Sequence, residues 1–190
     1  LSVKAAYEGI LPEEELRALA PATREAKWRE AIEYSEPQVH VVVHGSEIGL
    51  SMACGTNGFI FNRRKLEEVL PHLTYLRINI SAGERRRYAE IMGVREEWFD
   101  RVVQNIRDMV DIKKREALPV TIGLQMVLDP RYGDQIMPLA RLGKELRPDY
   151  LVIKHCSDDE DGTLGVDYGA YDRLYDTLKA AEALSDPEYA

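Results

Sequence analysis

Between about Leu50 and Asp161, short apolar runs alternate with longer amphipathic ones, and polar residues gather where the short runs stop. Leu50-Ser51-Met52-Ala53-Cys54 is closed by Gly55-Thr56-Asn57-Gly58. Leu76-Arg77-Ile78-Asn79-Ile80-Ser81 alternates strictly and is closed by Ala82-Gly83. Val120 to Leu128 is apolar almost throughout and stops at Asp129-Pro130. Tyr150-Leu151-Val152-Ile153-Lys154 is closed by His155-Cys156-Ser157-Asp158-Asp159. Runs of this length, bounded by turn residues, predict strands. Between them the period lengthens to that of a helix: residues 62–72 with Asn62 as N-cap, a stretch broken near Gly93, residues 96–115, residues 135–146, and a final helix over 168–183. In the helix over 96–115 the apolar stripe is Trp98, Phe99, Val102, Val103, Ile106, Met109, Val110 and Ile112.

The chain before Leu50 reads differently. Residues 12–34 are charged and alanine-rich, with Pro12 and three glutamates opening a helical pattern. Pro21 divides it into two short helices and Pro37 ends the second. Val39-His40-Val41-Val42-Val43 is β-branched and predicts a short strand. If so, His40 and His44 share a face of it, but with no third ligand in view a metal site there is disfavoured.

Strands alternating with helices imply an α/β fold with a parallel sheet and right-handed crossovers. The expected architecture is a partial, TIM-barrel-like parallel (β/α) barrel over residues 46–190, preceded by a divergent helical segment over 1–45. Ligands in such folds sit beyond the strand C-terminal ends. Gly55-Thr56-Asn57-Gly58 reads first as a turn, with close backbone approach to a ligand as the sharper reading. Arg77, Asn79 and Ser81 share one strand face, opposite Ile78 and Ile80. An arginine buried there needs a partner, either a ligand or a carboxylate such as Glu47. Gln125 must satisfy several hydrogen-bonding positions, in a structural network or on a ligand. Lys154 and His155 follow directly on an apolar strand and point to function, whereas Asp158 to Asp161 read as a solvated loop. Cys156 reads as a structural thiol, since no base is identifiable beside it.

Composition narrows the chemistry. A net charge of −8 argues against nucleic acid, which needs a basic footprint. No apolar run reaches the roughly 18 residues of a membrane helix. A cytoplasmic protein is expected, and the start at Leu1 suggests a fragment. The two cysteines, Cys54 and Cys156, are too few for a disulfide framework or a thiolate-only metal centre.

The ordered motifs resemble the radical S-adenosylmethionine (radical SAM) superfamily over about residues 48–183. The Thr56-Asn57-Gly58 turn after a short strand, then Leu73 to Gly83, resemble its third and fourth strands. Val120 to Leu128, with Ile122-Gly123-Leu124-Gln125, resembles the fifth, and Tyr150 to Cys156 the sixth. The resemblance implies a partial (β/α)6 barrel, a [4Fe–4S] cluster held by a C-x3-C-x2-C loop, and S-adenosylmethionine cleaved to a 5′-deoxyadenosyl radical. It implies cofactor-binding places for Thr56, Asn57, Asn79, Ser81, Gln125, Lys154 and His155: Ser81 at the methionyl or ribose end with Asn79 below it, Gln125 near the ribose, and the backbone after Ile153 near the adenine. The chain departs from the pattern in having no cysteine loop and no second-strand Gly-Glu-Pro type motif; His44-Gly45-Ser46-Glu47 lies close to where that motif belongs. The chain alone is therefore expected neither to hold the cluster nor to cleave the cofactor. Its substrate, small molecule or peptide, is not legible, and an incomplete barrel is expected to self-associate through its exposed edge. Two alternatives stand beside this reading: a non-catalytic barrel remnant that binds a ligand or partner, and an unrelated barrel lyase or aldolase using Lys154 as a Schiff base.

Overall fold

The computed structural model of the chain describes residues 37–158, 160–187 and 189. The helices expected between residues 12 and 34 lie outside the described residues. Contacts divide the chain into two units, Leu1–His44 and Gly45–Ala190.

The described chain opens with helix α1 (Pro37–Glu47). This corrects the strand expected over Val39 to Val43. β-Branched propensity is a weak prior, and a strand exists only where a neighbour completes its ladder. Pro37 starts this helix rather than ending an earlier one, as proline does at a first helical position whose N–H needs no partner. His40 and His44 accordingly stand four residues apart on a helix.

The second unit alternates strand and helix. It runs β1 (Ala53–Thr56), α2 (Arg63–Val69), β2 (Tyr75–Asn79), α3 (Arg85–Met92), α4 (Glu97–Arg115), β3 (Thr121–Leu128), α5 (Ile136–Leu146), β4 (Tyr150–His155) and α6 (Tyr175–Glu182). Asn62 caps α2, its side chain accepting from the Lys65 amide at 3.0 Å. Gly93 ends α3 in the left-handed region. In α4 Glu97 and Asp100 stand in the first turn and Lys113, Lys114 and Arg115 in the last, the arrangement that suits the helix dipole. The single helix expected over 168–183 is a 3₁₀ turn, Tyr168–Leu174, followed by α6. The helix-weak residues of that turn (Gly169, Asp172 and two tyrosines) favour the tighter winding.

All four strands are parallel and lie in the order β1-β2-β3-β4. The result is an α/β fold, a partial parallel (β/α) barrel. One face carries the core. Leu76, Ile78, Ile122, Leu124, Met126 and Leu128 are fully buried there with Leu66, Ile106, Met109 and Leu139 from the helices. Each such side chain contributes about 1.5–3 kcal/mol by leaving water. Helices α2 and α3 pack on α4, and α5 packs on α6 and β4. The other, inner face carries the polar residues.

Candidate functional site

Parallel register turns the sequence alternation into rows across the inner face. Gly55, Arg77, Gly123 and Tyr150 occupy one row. Asn79, Gln125 and Val152 form the next, toward the strand C-terminal ends. Val127 and Lys154 form the third, and alternation places Ser81 beside them just past the end of β2. The Ile80 amide donates to the Gln125 carbonyl at 2.9 Å, so the ladder continues to that point.

Gln125 is 7% exposed. Its Nε2 donates to Asn79 Oδ1 at 3.1 Å, while its Oε1 is buried with no hydrogen-bond partner. A buried amide oxygen left unmatched costs about 1–3 kcal/mol. Such an atom marks where a donor belongs. Lys154 is exposed above it.

The remaining expected residues fall elsewhere. Thr56 pairs with Ile78, on the core face, and its Oγ1 accepts from the Gly58 amide at 3.0 Å. Asn57 Oδ1 accepts from the Phe59 amide at 3.1 Å. Both side chains thus build their own turn, in which Gly58 takes a φ of 76°. His155 pairs with Leu128 and so faces away from Lys154. Its ring meets Tyr171 edge-on, with centroids 6.4 Å apart. The structure therefore gathers Asn79, Ser81, Gln125 and Lys154 on one face and separates Thr56, Asn57 and His155 from them.

Several supporting residues carried little signal in the sequence. Asn105, 5% exposed, reaches from α4 to donate to the Gly58 and Phe61 carbonyls at 2.7 and 3.0 Å, fixing the turn after β1. A polar residue inside the apolar stripe of α4 was the available clue. Tyr171 holds the end of β4: its hydroxyl donates to the Leu128 carbonyl at 2.5 Å and accepts from the Cys156 amide at 2.9 Å. Gln135, fully buried, accepts from the Gly83 amide at 3.2 Å and donates to Glu84 and Asp134, both at 2.9 Å. Asp158 is not simply solvated: its carboxylate accepts from the Leu164 and Val166 amides and closes its loop.

Electrostatically, the inner face is donor-rich toward the strand N-terminal ends. Arg77 Nε is buried without a hydrogen-bond partner. The Tyr75 and Tyr150 hydroxyls bond to each other. Burial, with the Tyr75 bond, pushes the Tyr150 phenol up to about 12, the nearby Arg77 charge pulling the other way. On the core face, burial pushes the Cys54 thiol up, so it stays protonated near neutrality. Among the described residues no group of three or more His, Cys, Asp or Glu could hold a metal ion. No helix among them is long and apolar enough to cross a membrane.

No protein-family model matches the chain, and no curated protein matches it. Solved structures do match. Streptococcus suis SuiB bound to S-adenosylmethionine superposes with a TM-score of 0.59 at 16% identity, over 80% of this chain and 35% of that one. SuiB bound to precursor peptide SuiA gives a TM-score of 0.58 at 16% identity, over 80% of this chain and 34% of that one. A domain of pyruvate-formate lyase-activating enzyme from Bacteroides vulgatus ATCC 8482 gives 0.53 at 12% identity, over 76% of this chain and 84% of that one. At these identities the likeness is one of fold. The chain spans about a third of the length of SuiB.

Proposed function

We propose that residues 48–183 form the cofactor-binding core of a radical SAM-type enzyme, and that S-adenosylmethionine binds across the inner face at the strand C-terminal ends. The observation that carries this reading is the orphaned Gln125 Oε1, buried in the middle of the row where the cofactor would lie. The residues fit the group. S-Adenosylmethionine brings ribose hydroxyls that can donate to Gln125 Oε1, and a carboxylate that suits Ser81 and the Lys154 ammonium. When bound beside a reduced cluster, the cofactor supplies a carbon radical that abstracts hydrogen. This chain's own share is positioning: Asn79 fixes the Gln125 amide, Gln135 and Gly83 fix the turn after Ser81, and Tyr171 fixes the end of β4 beside Lys154.

The cluster does not fit these residues. It needs at least three thiolates, and the chain has two cysteines, Cys54 within β1 and Cys156 just past the end of β4. Binding of the cofactor without its cleavage is the activity proposed for this chain by itself. The substrate of the whole enzyme is a small molecule or a peptide; the SuiB complex with a precursor peptide makes a peptide the first class to test.

Titration calorimetry should show saturable S-adenosylmethionine binding, weakened about tenfold or more by Gln125→Leu, which removes the acceptor. Absence of binding by the unaltered chain at millimolar cofactor would overturn the reading. Anaerobic reconstitution followed by iron and sulfide analysis is expected to return no stoichiometric cluster; one [4Fe–4S] per chain would show that thiolates are recruited in a way these residues do not suggest.

A further inference from the structure

The polar groups nearer the strand N-terminal ends are not explained by a cofactor at the opposite end. Arg77 stands one row below Asn79 and four residues before Ser81, about 13 Å along an extended strand. Its guanidinium does not reach up to close that gap. One terminal nitrogen lies 3.8 Å from where a Cβ on Gly55 would stand, and Gly55 is the direct register partner of Arg77. The charge is therefore held at its own level.

At that level it has no anion. Arg77 forms no ion pair or side-chain hydrogen bond among the described residues, and its Nε is buried. Glu47, the carboxylate suggested by the sequence, is not its partner. A guanidinium partly removed from water without a counter-charge is costly, and its fork of donors matches carboxylate or phosphate geometry.

A second donor stands in the same row. Gly123 lies between Arg77 and Tyr150 in the row. The Tyr150 ring lies directly over it, 2.1 Å from where a Cβ on Gly123 would stand. Only a residue without a side chain admits the ring there, and its hydroxyl meets that of Tyr75. Two phenols carry two protons. One lies in their mutual bond, and the other has no acceptor among the described residues. Burial and the Tyr75 bond push the Tyr150 phenol up to about 12, so it keeps its proton at neutral pH.

We propose that Arg77 and the Tyr75–Tyr150 pair form a second binding site on the inner face, below the cofactor level, that takes an oxyanion: the carboxylate or phosphate of a substrate, or the free inorganic ion. The site deepens the function proposed above by giving its substrate an acidic group. It rests on that reading for the identity of the ligand and not for the binding itself.

The test is nuclear magnetic resonance of arginine Nε–H groups in the full chain, titrated in parallel with sodium acetate and with sodium phosphate. The Arg77 signal is identified by its absence from Arg77→Lys, or by through-bond assignment if that variant does not fold. It is expected to shift saturably with at least one of the two anions. Tyr75→Phe/Tyr150→Phe is expected to weaken that binding about tenfold, by removing both phenol donors. A linear shift unchanged in the double variant would mean ordinary surface counter-ion screening and would overturn the site. The titration is then repeated with saturating S-adenosylmethionine. Retention of the shift supports a separate site. Its loss would mean that Arg77 holds the cofactor's own carboxylate, which also overturns the proposal. If the cofactor does not bind at all, the proposed function fails while the anion titrations still decide this one.

Discussion

Gly83→Val is expected to destabilise the protein by about 3 kcal/mol or more, at the upper end of what overpacking costs. A Cβ at Gly83 would lie 2.2 Å from the Pro138 carbonyl carbon and 2.3 Å from the Leu139 nitrogen. Both are backbone atoms in the first turn of α5, so no side-chain rotation relieves the overlap. The chain after β2 must therefore move away from α5, and the Gly83 amide must leave Gln135, whose fully buried side chain then loses one of its bonds. Ser81 lies two residues earlier, so under the function proposed above S-adenosylmethionine affinity should fall along with stability. Urea denaturation followed by circular dichroism measures the first effect. A midpoint within error of the unaltered chain would show that β2 and α5 are not held as close as the structure has them.

Asn105→Leu should cost about 2–4 kcal/mol, because two buried carbonyls lose their donor while the replacement, branched alike and bulkier, admits no water. The carbonyls are those of Gly58 and Phe61. They flank the turn whose inner bonds are made by Thr56 and Asn57. The variant is thus expected to release the whole Thr56–Phe61 segment, with faster hydrogen exchange at the Gly58 and Phe59 amides than at those of β3. Equal protection of the two segments in the variant would show that the Thr56 and Asn57 side chains suffice without α4. Asn105→Asp, which keeps the shape but exchanges the donor for a charge, should be no better.

The strands β2 to β4 and the order of their ends were legible because a parallel sheet demands near-continuous apolar runs stopped by turn residues; β1, expected over Leu50 to Cys54 with Gly55-Thr56 in the turn, instead spans Ala53–Thr56. The helices between them were legible from their 3.6-residue stripe. Val39 to Val43 misled because side-chain branching favours a strand only where a ladder exists to join, and the helix over Pro37–Glu47 has none. The site was legible in part. Alternation in Arg77-Ile78-Asn79-Ile80-Ser81 correctly put the isoleucines in the core and the polar residues on the inner face. The same rule, applied to Lys154-His155, sends the two residues to opposite faces. Cross-strand facts were beyond reach. That Gln125 meets Asn79, or that Tyr75 meets Tyr150, depends on register, which no stretch of the sequence states by itself.

The single sequential order of the four strands has a consequence for how such a protein can change. Each row of the inner face draws its residues from different strand–helix units, and the neighbours of each such residue in sequence serve the core instead. A substitution at Asn79, Gln125 or Lys154 rewrites one position of the inner face and leaves the helix packing of Ile78, Leu124 or Ile153 as it was. Recognition can thus be revised unit by unit, by point changes that keep the same scaffold, and laboratory libraries confined to alternate strand positions should retain far more folded members than libraries of equal size spread along the strands.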